Sequence, residues 1–368
     1  MTVRRVPAEF ESIQAAVNAS GPGDTIQVAG GIYAESVTIG EGKDRLSIIG
    51  PGAGNAILQG QGSGIGIIIS RSGSVTIEGF TVTGFDTGIQ IFTSDNTIRE
   101  VAVTRCVQDG ILVSSGARNV FFRVTGSHNG ENGIQVDGSN NYVIDGEFND
   151  NGDDGIDLNG LFNVAIGNRA SGNDSGIIVE GGGAVVIGNR LAGNVEGIVL
   201  RSAGNLVHGN AITRNSRLGV LYLDDVASLV LGNALTGNQG HGVQAIRASG
   251  FAVIGNKAVS NGQDAIALES GAAAGVLEDN QVRESGQAGI RLAPETVGGL
   301  VRRTDSKTSR KLPFFSDLPL IGNLFRTRQD REQDMELLIF VTPKILPNED
   351  GPGSVPAAGA VAPTPVGM

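Results

Sequence analysis

The sequence predicts an all-β protein: a right-handed, single-stranded parallel β-helix of about 11–13 coils, with a short N-terminal capping helix and a small C-terminal appendage. The first observation behind this is a repeat of about 22 residues with the core Asn-Gly-x-x-Gly-[Ile/Val]. Its second Gly falls at Gly64, Gly88, Gly110, Gly133, Gly155, Gly176, Gly197, Gly219, Gly242 and Gly289, with Ala265 once in its place, at spacings of 21 to 24. A unit this short buries its apolar face only by stacking on its neighbours. The second observation is alternation. Runs such as Gly133-Ile134-Gln135-Val136 and Gly155-Ile156-Asp157-Leu158 switch between apolar and polar with a period of two, which makes them strands and excludes helical solenoids. The third is a column of asparagines, Asn168, Asn189, Asn210, Asn233, Asn256 and Asn280, at spacings of 21 to 24. Asn tolerates the left-handed conformation of a tight turn, and a stacked side-chain amide can bond the amide of the next coil.

The elements follow in order. Residues 1–40 are the N-terminal cap and first coil. Phe10, Ile13, Ala16 and Val17 have helical spacing, Gly21-Pro22-Gly23-Asp24 makes a turn, and Thr25-Ile26-Gln27-Val28 is a strand. Residues 41–295 are the β-helix repeats, whose equivalent strands stack about 4.8 Å apart in parallel with right-handed crossovers. Ile134, Ile156, Ile177, Ile198, Val220 and Val243 form one inward column. Residues 296–347 form a second module and 348–368 a Gly/Pro/Ala-rich tail, expected to be disordered.

Composition narrows the function. A net charge of −11 argues against a nucleic-acid partner. The 57 glycines are those of turns. The single cysteine, Cys106, excludes an internal disulfide framework and a Cys-based zinc site. Met1 to Pro7 is polar and basic with no apolar run after it, so no signal peptide is expected, and no stretch is apolar enough for a transmembrane helix.

The stretches Ser12 to Val17 and Pro22 to Val37, with Tyr33 and Glu35, resemble the opening of a large group of right-handed β-helix proteins. That group includes pectate-lyase-like carbohydrate enzymes and the periplasmic copper-site maturation protein of nitrous oxide reductase. The resemblance covers about residues 1–295. It implies the fold and is nearly silent on function, because one fold hosts many activities.

The second module has its own pattern. Gly298-Gly299-Leu300 is followed by 11 residues and Leu312-Pro313; Asp317, Pro319, Gly322, Leu324 and Phe325 follow, and Glu336 to Ile345, with Pro343, closes it. Nine Lys/Arg against six Asp/Glu give residues 301–347 a net +3, so the rest of the chain carries −14. This module resembles the C-terminal signature of the secretins, the outer-membrane pores of type II and type III secretion and type IV pilus systems. The resemblance implies a cell-envelope or extracellular location, and a secretin or another outer-membrane secretion component as partner. It covers only about residues 295–347, and a single copy offers too few strands for a closed barrel.

Candidate site residues lie on the repeats. Asp109, Asp137, Asp154, Asp157, Glu180 and Glu196 fall on neighbouring coils, as an acidic binding patch for a polysaccharide or Ca²⁺. Paired carboxylates there could do acid/base work on a glycosidic bond, as in a polyuronide lyase, hydrolase or epimerase. Acidic turns also simply solubilise a solenoid, and on that reading Asp137, Asp154 and Asp157 splay along a solvated face. Asp153-Asp154 and Gly240-His241-Gly242 are similar to motifs of polygalacturonase-type hydrolases, which makes Asp154, Asp157 and His241 the catalytic candidates. His128, His208 and His241 have no metal-ligand spacing, so no metal or other cofactor is expected beyond a possible Ca²⁺. The leading expectation is a non-enzymatic binding or structural protein.

Overall fold

The computed structural model describes residues 1–293; the expectations for 296–347 and 348–368 lie outside the described residues. Residues 1–293 form a right-handed parallel solenoid of about 13 turns, built from three sheets of 13, 12 and 12 strands. In one coil, Thr97–Arg99 lies in the first sheet, Ala102–Thr104 in the second and Ile111–Val113 in the third. Each strand pairs in parallel with its equivalents above and below, so Ile98 sits between Ile77 and Phe121. The inward column is continuous: Ile134 pairs with Ile156, Ile156 with Ile177, Ile177 with Ile198, Ile198 with Val220, and Val220 with Val243. All six are fully buried.

Two kinds of glycine make the coil, for different reasons. Gly167, Gly188, Gly209, Gly232 and Gly255 sit in the tight turn between the first and second sheets with φ between 59° and 70°, where a side chain would be strained. The repeat glycines from Gly88 to Gly242 have no positive φ. They answer to close approach instead: a Cβ on Gly219 would stand 2.4 Å from the Gly242 carbonyl oxygen, and one on Gly197 2.5 Å from that of Gly219. The expectation that turns explain the glycines therefore holds for the first group only.

Buried asparagines run along the stack in three columns, not one. In the expected column, the Asn168 Nδ2–H donates to Asn189 Oδ1 at 3.0 Å and the Asn168 backbone N–H to the same oxygen at 2.8 Å. Asn189, Asn210, Asn233 and Asn256 repeat the pattern. The Asn of the repeat core forms a second column, from Asn129 through Asn151, Asn173, Asn194, Asn215 and Asn238 to Asn261. A third, Asn96–Asn119–Asn141–Asn163, precedes the first sheet. Each side chain closes backbone groups that the turns leave unpaired in the interior.

The N-terminal cap is a helix, Ile13–Ala19, whose Ile13, Ala16 and Val17 are buried. The Ser12 hydroxyl accepts from the Ala15 N–H, and the Glu35 carboxylate accepts from the N–H groups of Ile13 and Gln14 at 2.8 and 2.9 Å. These are donors that a helix start leaves open. Ahead of it, Val3–Val6 forms a strand paired with Thr25–Val28, which the polar reading of Met1 to Pro7 did not anticipate. Cys106 is buried, and burial pushes its thiol up to about 11, so it stays protonated. No described helix is long and apolar enough to cross a membrane.

Candidate functional site on the outer face of the third sheet

The register places one outward row on the third sheet: Gln90, Leu112, Gln135, Asp157, Ile178, Val199, Leu221, Gln244, Ala267 and Arg291. Beside it runs the row preceding each repeat glycine, and its residues are mostly buried: Asp109, Asn132, Asp154, Ser175, Glu196, Leu218, His241 and Asp264. In this flanking row side chains cap the next coil. Asp109 Oδ1 accepts from the Asn132 N–H at 3.1 Å, Asn132 Oδ1 from the Asp154 N–H at 3.0 Å, and Asp154 Oδ1 from the Ser175 N–H at 2.7 Å.

The acidic residues converge. The Asn159 amide donates to Asp137 Oδ1 at 3.0 Å and to Asp157 Oδ2 at 3.2 Å, joining carboxylates of two coils. Asp157 Oδ1 is buried with no hydrogen-bond partner. Burial first, and then the neighbouring charges of Asp154 and Glu180, push Asp157 up to about 7. Burial, with Asp153 and Asp174 nearby, lifts Asp154 to about 6. Burial lifts Asp109 to about 6 as well, with Glu131 and Asp137 adding to it. The expected splaying along a solvated face is therefore wrong. The strand brings Asp157 between Gln135 and Ile178, and the turn tucks Asp154 under the next coil.

Glu180 and Glu196 are each paired with an arginine, Glu180 with Arg201 at 2.8 Å and Glu196 with Arg217 at 2.6 Å, while Glu180 also borders Asp157. Carboxylate oxygens of Asp153, Asp154 and Asp174 lie within 4.8 Å of one another, the one such group among the described residues with the geometry to hold a cation. His241 lies four coils from Asp154, about 19 Å at ~4.8 Å per coil, so the two cannot share a reacting bond. His241 instead joins a cluster the sequence reading missed. Its Nδ1 accepts from the Asp264 N–H at 3.1 Å, while Arg291 bonds Asp264 Oδ2 and Glu269 Oε1, each at 2.6 Å. The positions of His241, Asp264 and Arg291 in the two rows were readable; that Arg291 reaches back across a coil to Asp264 and Glu269 was not.

Residues 54–191 and 164–295 match the family described as "Right handed beta helix region". The chain belongs to the right-handed β-helix family. Residues 295–347 of this β-helix protein match a second family, Secretin, described as "Bacterial type II and III secretion system protein". Over 50 residues the β-helix protein is 46% identical to "Type IV pilus biogenesis and competence protein PilQ" of Neisseria meningitidis serogroup A / serotype 4A, covering 14% of this chain and 7% of that protein. It is 38% identical over 50 residues to "Secretin GspD 2" of Escherichia coli O78:H11, again 14% of this chain and 7% of the relative. The chain thus spans only a small part of the curated relatives it matches. The motif residues Gly298, Gly299, Pro313, Asp317, Pro319, Gly322, Leu324, Phe325 and Pro343 lie inside that match and outside the described residues.

Among solved structures, the catalytic domain of a GH87 α-1,3-glucanase in complex with nigerose superposes with a TM-score of 0.60 at 14% identity, covering 78% of this chain and 65% of that one. The A-module of the Azotobacter vinelandii mannuronan C-5 epimerase AlgE4 gives 0.50 at 18%, covering 77% and 93%. At these identities the likeness is one of fold.

Proposed function

We propose that the protein is an envelope-associated binding β-helix that works with a secretin in protein secretion or type IV pilus assembly at the outer membrane. The observation that supports this best is the 46% identity over 50 residues to a pilus secretin, joined in one chain to a solenoid of about 13 turns. One copy of the segment supplies too few strands to close a pore, so it serves as an attachment to a separate secretin, with the solenoid's sides as the binding surface. The full chain, expressed in a host with a type IV pilus, is expected to co-purify with the secretin from solubilised outer membranes. A chain lacking 298–368 is expected to lose it. If the full chain brings down no secretin, the segment is a likeness of sequence alone.

A second reading is a carbohydrate-active enzyme, and one observation favours it. Burial raises both Asp157 and Asp154 above the ordinary carboxylate range, and the Asp154 charge raises Asp157 further, so the pair keeps a proton more readily than surface carboxylates do. A carboxyl pair that retains one proton can supply an acid and a base at a glycosidic bond. The surrounding carboxylates disfavour a polyuronide and suit a neutral glycan. Turnover of neutral glucans is expected to peak at a pH above the ordinary carboxylate range, falling above the peak as the pair loses its last proton and below it as the pair takes up a second. Asp157→Asn and Asp154→Asn are each expected to lower it by about a hundredfold or more. Absence of turnover on glucans and polygalacturonate alike would end this reading.

A further inference from the structure

The outer face of the first sheet is apolar along seven successive coils. One outward row starts with Glu78 and Arg99, runs through Phe122, Ile144, Ile166, Ile187, Leu231 and Ile254, and ends on Glu278. His208, between Ile187 and Leu231, is its one polar member within those coils, and its Nδ1 is bonded to the Leu231 carbonyl oxygen at 3.0 Å. The apolar side chains of this row are half-buried. The row two residues earlier, from Val120 to Ala252, holds no Lys, Arg, Asp or Glu over the same coils; Val164, Val185 and Leu206 in it are buried. Glu78, Arg99 and Glu278 stand at the same register position as the apolar residues, so the fold accepts an ionised side chain there. Seven coils without one are therefore not a demand of the solenoid, and an apolar surface of this extent marks an interaction site.

The borders of the face say what fits it. Seven coils at ~4.8 Å, each with three strand residues and one turn residue on either side at ~3.3 Å, make a plate of about 34 Å by 16 Å, or about 540 Å². The turn beside the row is glycine in five successive coils, at Gly167, Gly188, Gly209, Gly232 and Gly255, so no side chain rises there to hold off a second flat surface. The chain carries a net −11, and this neutral plate is where two copies can approach without that repulsion. Its ends are oppositely charged, Arg99 and Glu278 each lying four coils from Ile187. Two plates laid face to face about a twofold axis through Ile187 set Ile187 on its own counterpart, Phe122 on the partner's Ile254, and Arg99 on the partner's Glu278. Arg99 is bonded to Glu78, and its guanidinium offers further donors. The parallel arrangement would instead oppose like charges at both ends.

We propose that this face pairs with the same face of a second copy of the chain, as an antiparallel homodimer with the two sheets about 10 Å apart. The pairing rests neither on the secretin role nor on acid/base chemistry at the third sheet. At about 540 Å² per copy the interface is at the small end of specific ones, so the dimer dissociates in the micromolar range.

The test is sedimentation equilibrium of the full chain over a micromolar concentration series. A reversible monomer–dimer equilibrium is expected. Ile187→Glu, which sets two carboxylates against each other at the axis, should weaken it by about tenfold or more. Glu78 and Arg99 show that the position carries charge without loss of the fold, and cooperative melting of the variant checks this. Ile32→Glu, at an exposed apolar side chain of the second sheet, should leave the equilibrium as it is. Arg99→Glu, which breaks the pair at both symmetric ends, should weaken the dimer by about three- to tenfold, and adding Glu278→Arg should restore it. The proposal fails if the full chain stays monomeric, if Ile187→Glu dimerises as the parent does, or if Glu278→Arg recovers nothing. A chain lacking 298–368 that dimerises where the full chain does not would overturn it too, and would assign the face to the chain's own C-terminal segment.

Discussion

Replacing Ile156 by Asp is expected to collapse the middle of the solenoid. Ile156 is fully buried, paired with Ile134 on one side and Ile177 on the other, in a column of aliphatic side chains. A carboxylate there must stay ionised without a partner or take up a proton and still lack hydrogen bonds, at a cost of several kcal/mol. A stack of repeats gains its stability from interfaces between neighbours, so a coil that cannot close also exposes the coils beside it. The melting temperature should fall by about 10 °C or more. Amide hydrogens of Ile134 and Ile177 should lose protection together with those of residue 156. Ile156→Val, which removes one methylene, should cost only about 1 kcal/mol. If the aspartate variant melted within a degree or two of the parent, the column could not be the continuous core described above.

The second large effect is expected at Asn210. Its Oδ1 accepts both the backbone N–H and the side-chain amide of Asn189, at 2.8 and 2.9 Å, and its own amide donates to Asn233 Oδ1 and the Val186 carbonyl. Asn210→Ala would strand the Asn189 backbone N–H inside the solenoid and remove the side-chain bond to the Val186 carbonyl, which stays in its strand ladder. At about 1–3 kcal/mol for an orphaned buried group, with the lost side-chain bonds added, the loss is about 2–4 kcal/mol. Asn210→Asp keeps the acceptor and loses the donor, turning a second oxygen toward Asn233 Oδ1 and the Val186 carbonyl. Ionised, it is a buried charge; protonated, it can donate again. Its stability should therefore be better at pH 5 than at pH 8, whereas the alanine variant should show no such recovery. Equal denaturation midpoints for parent and alanine variant would remove the column from the list of what holds the coils together.

The fold was readable because the stack converts distance into sequence: residues on top of one another lie one coil apart in the chain. Gly88 to Gly242 and Asn168 to Asn280 repeat because each meets its own counterpart. The third asparagine column was harder to read because it is broken. Ala184 and Ser228 replace asparagine in it, and Asn205 Oδ1 caps the Ala184 backbone N–H across the first gap. Val3–Val6 carries no repeat at all, so only pairing with Thr25–Val28 identifies it as a strand. At the acidic group, period-two alternation placed Asp157 on the outside correctly. It could not tell that Asn159 would tie Asp157 to Asp137, because that depends on side-chain rotamers across two coils.

The asparagine columns also limit how such a protein can change in length. Every Oδ1 is handed the N–H of the coil before it, and every Nδ2 reaches the coil after it. Removing or duplicating one whole coil leaves each hand-off intact, because a new Asn arrives where the old one stood. An insertion or deletion of half a coil in the sheet-forming part shifts all three columns out of phase at once. Insertions of arbitrary length fit only where the chain bulges outward between these columns, as in the turn that follows each third-sheet strand, where 13 residues separate Gly155 from Asn168 but 14 separate Gly219 from Asn233. Homologous solenoids should accordingly differ by multiples of one coil plus variation in that turn, so that gene length in such a lineage grows in steps.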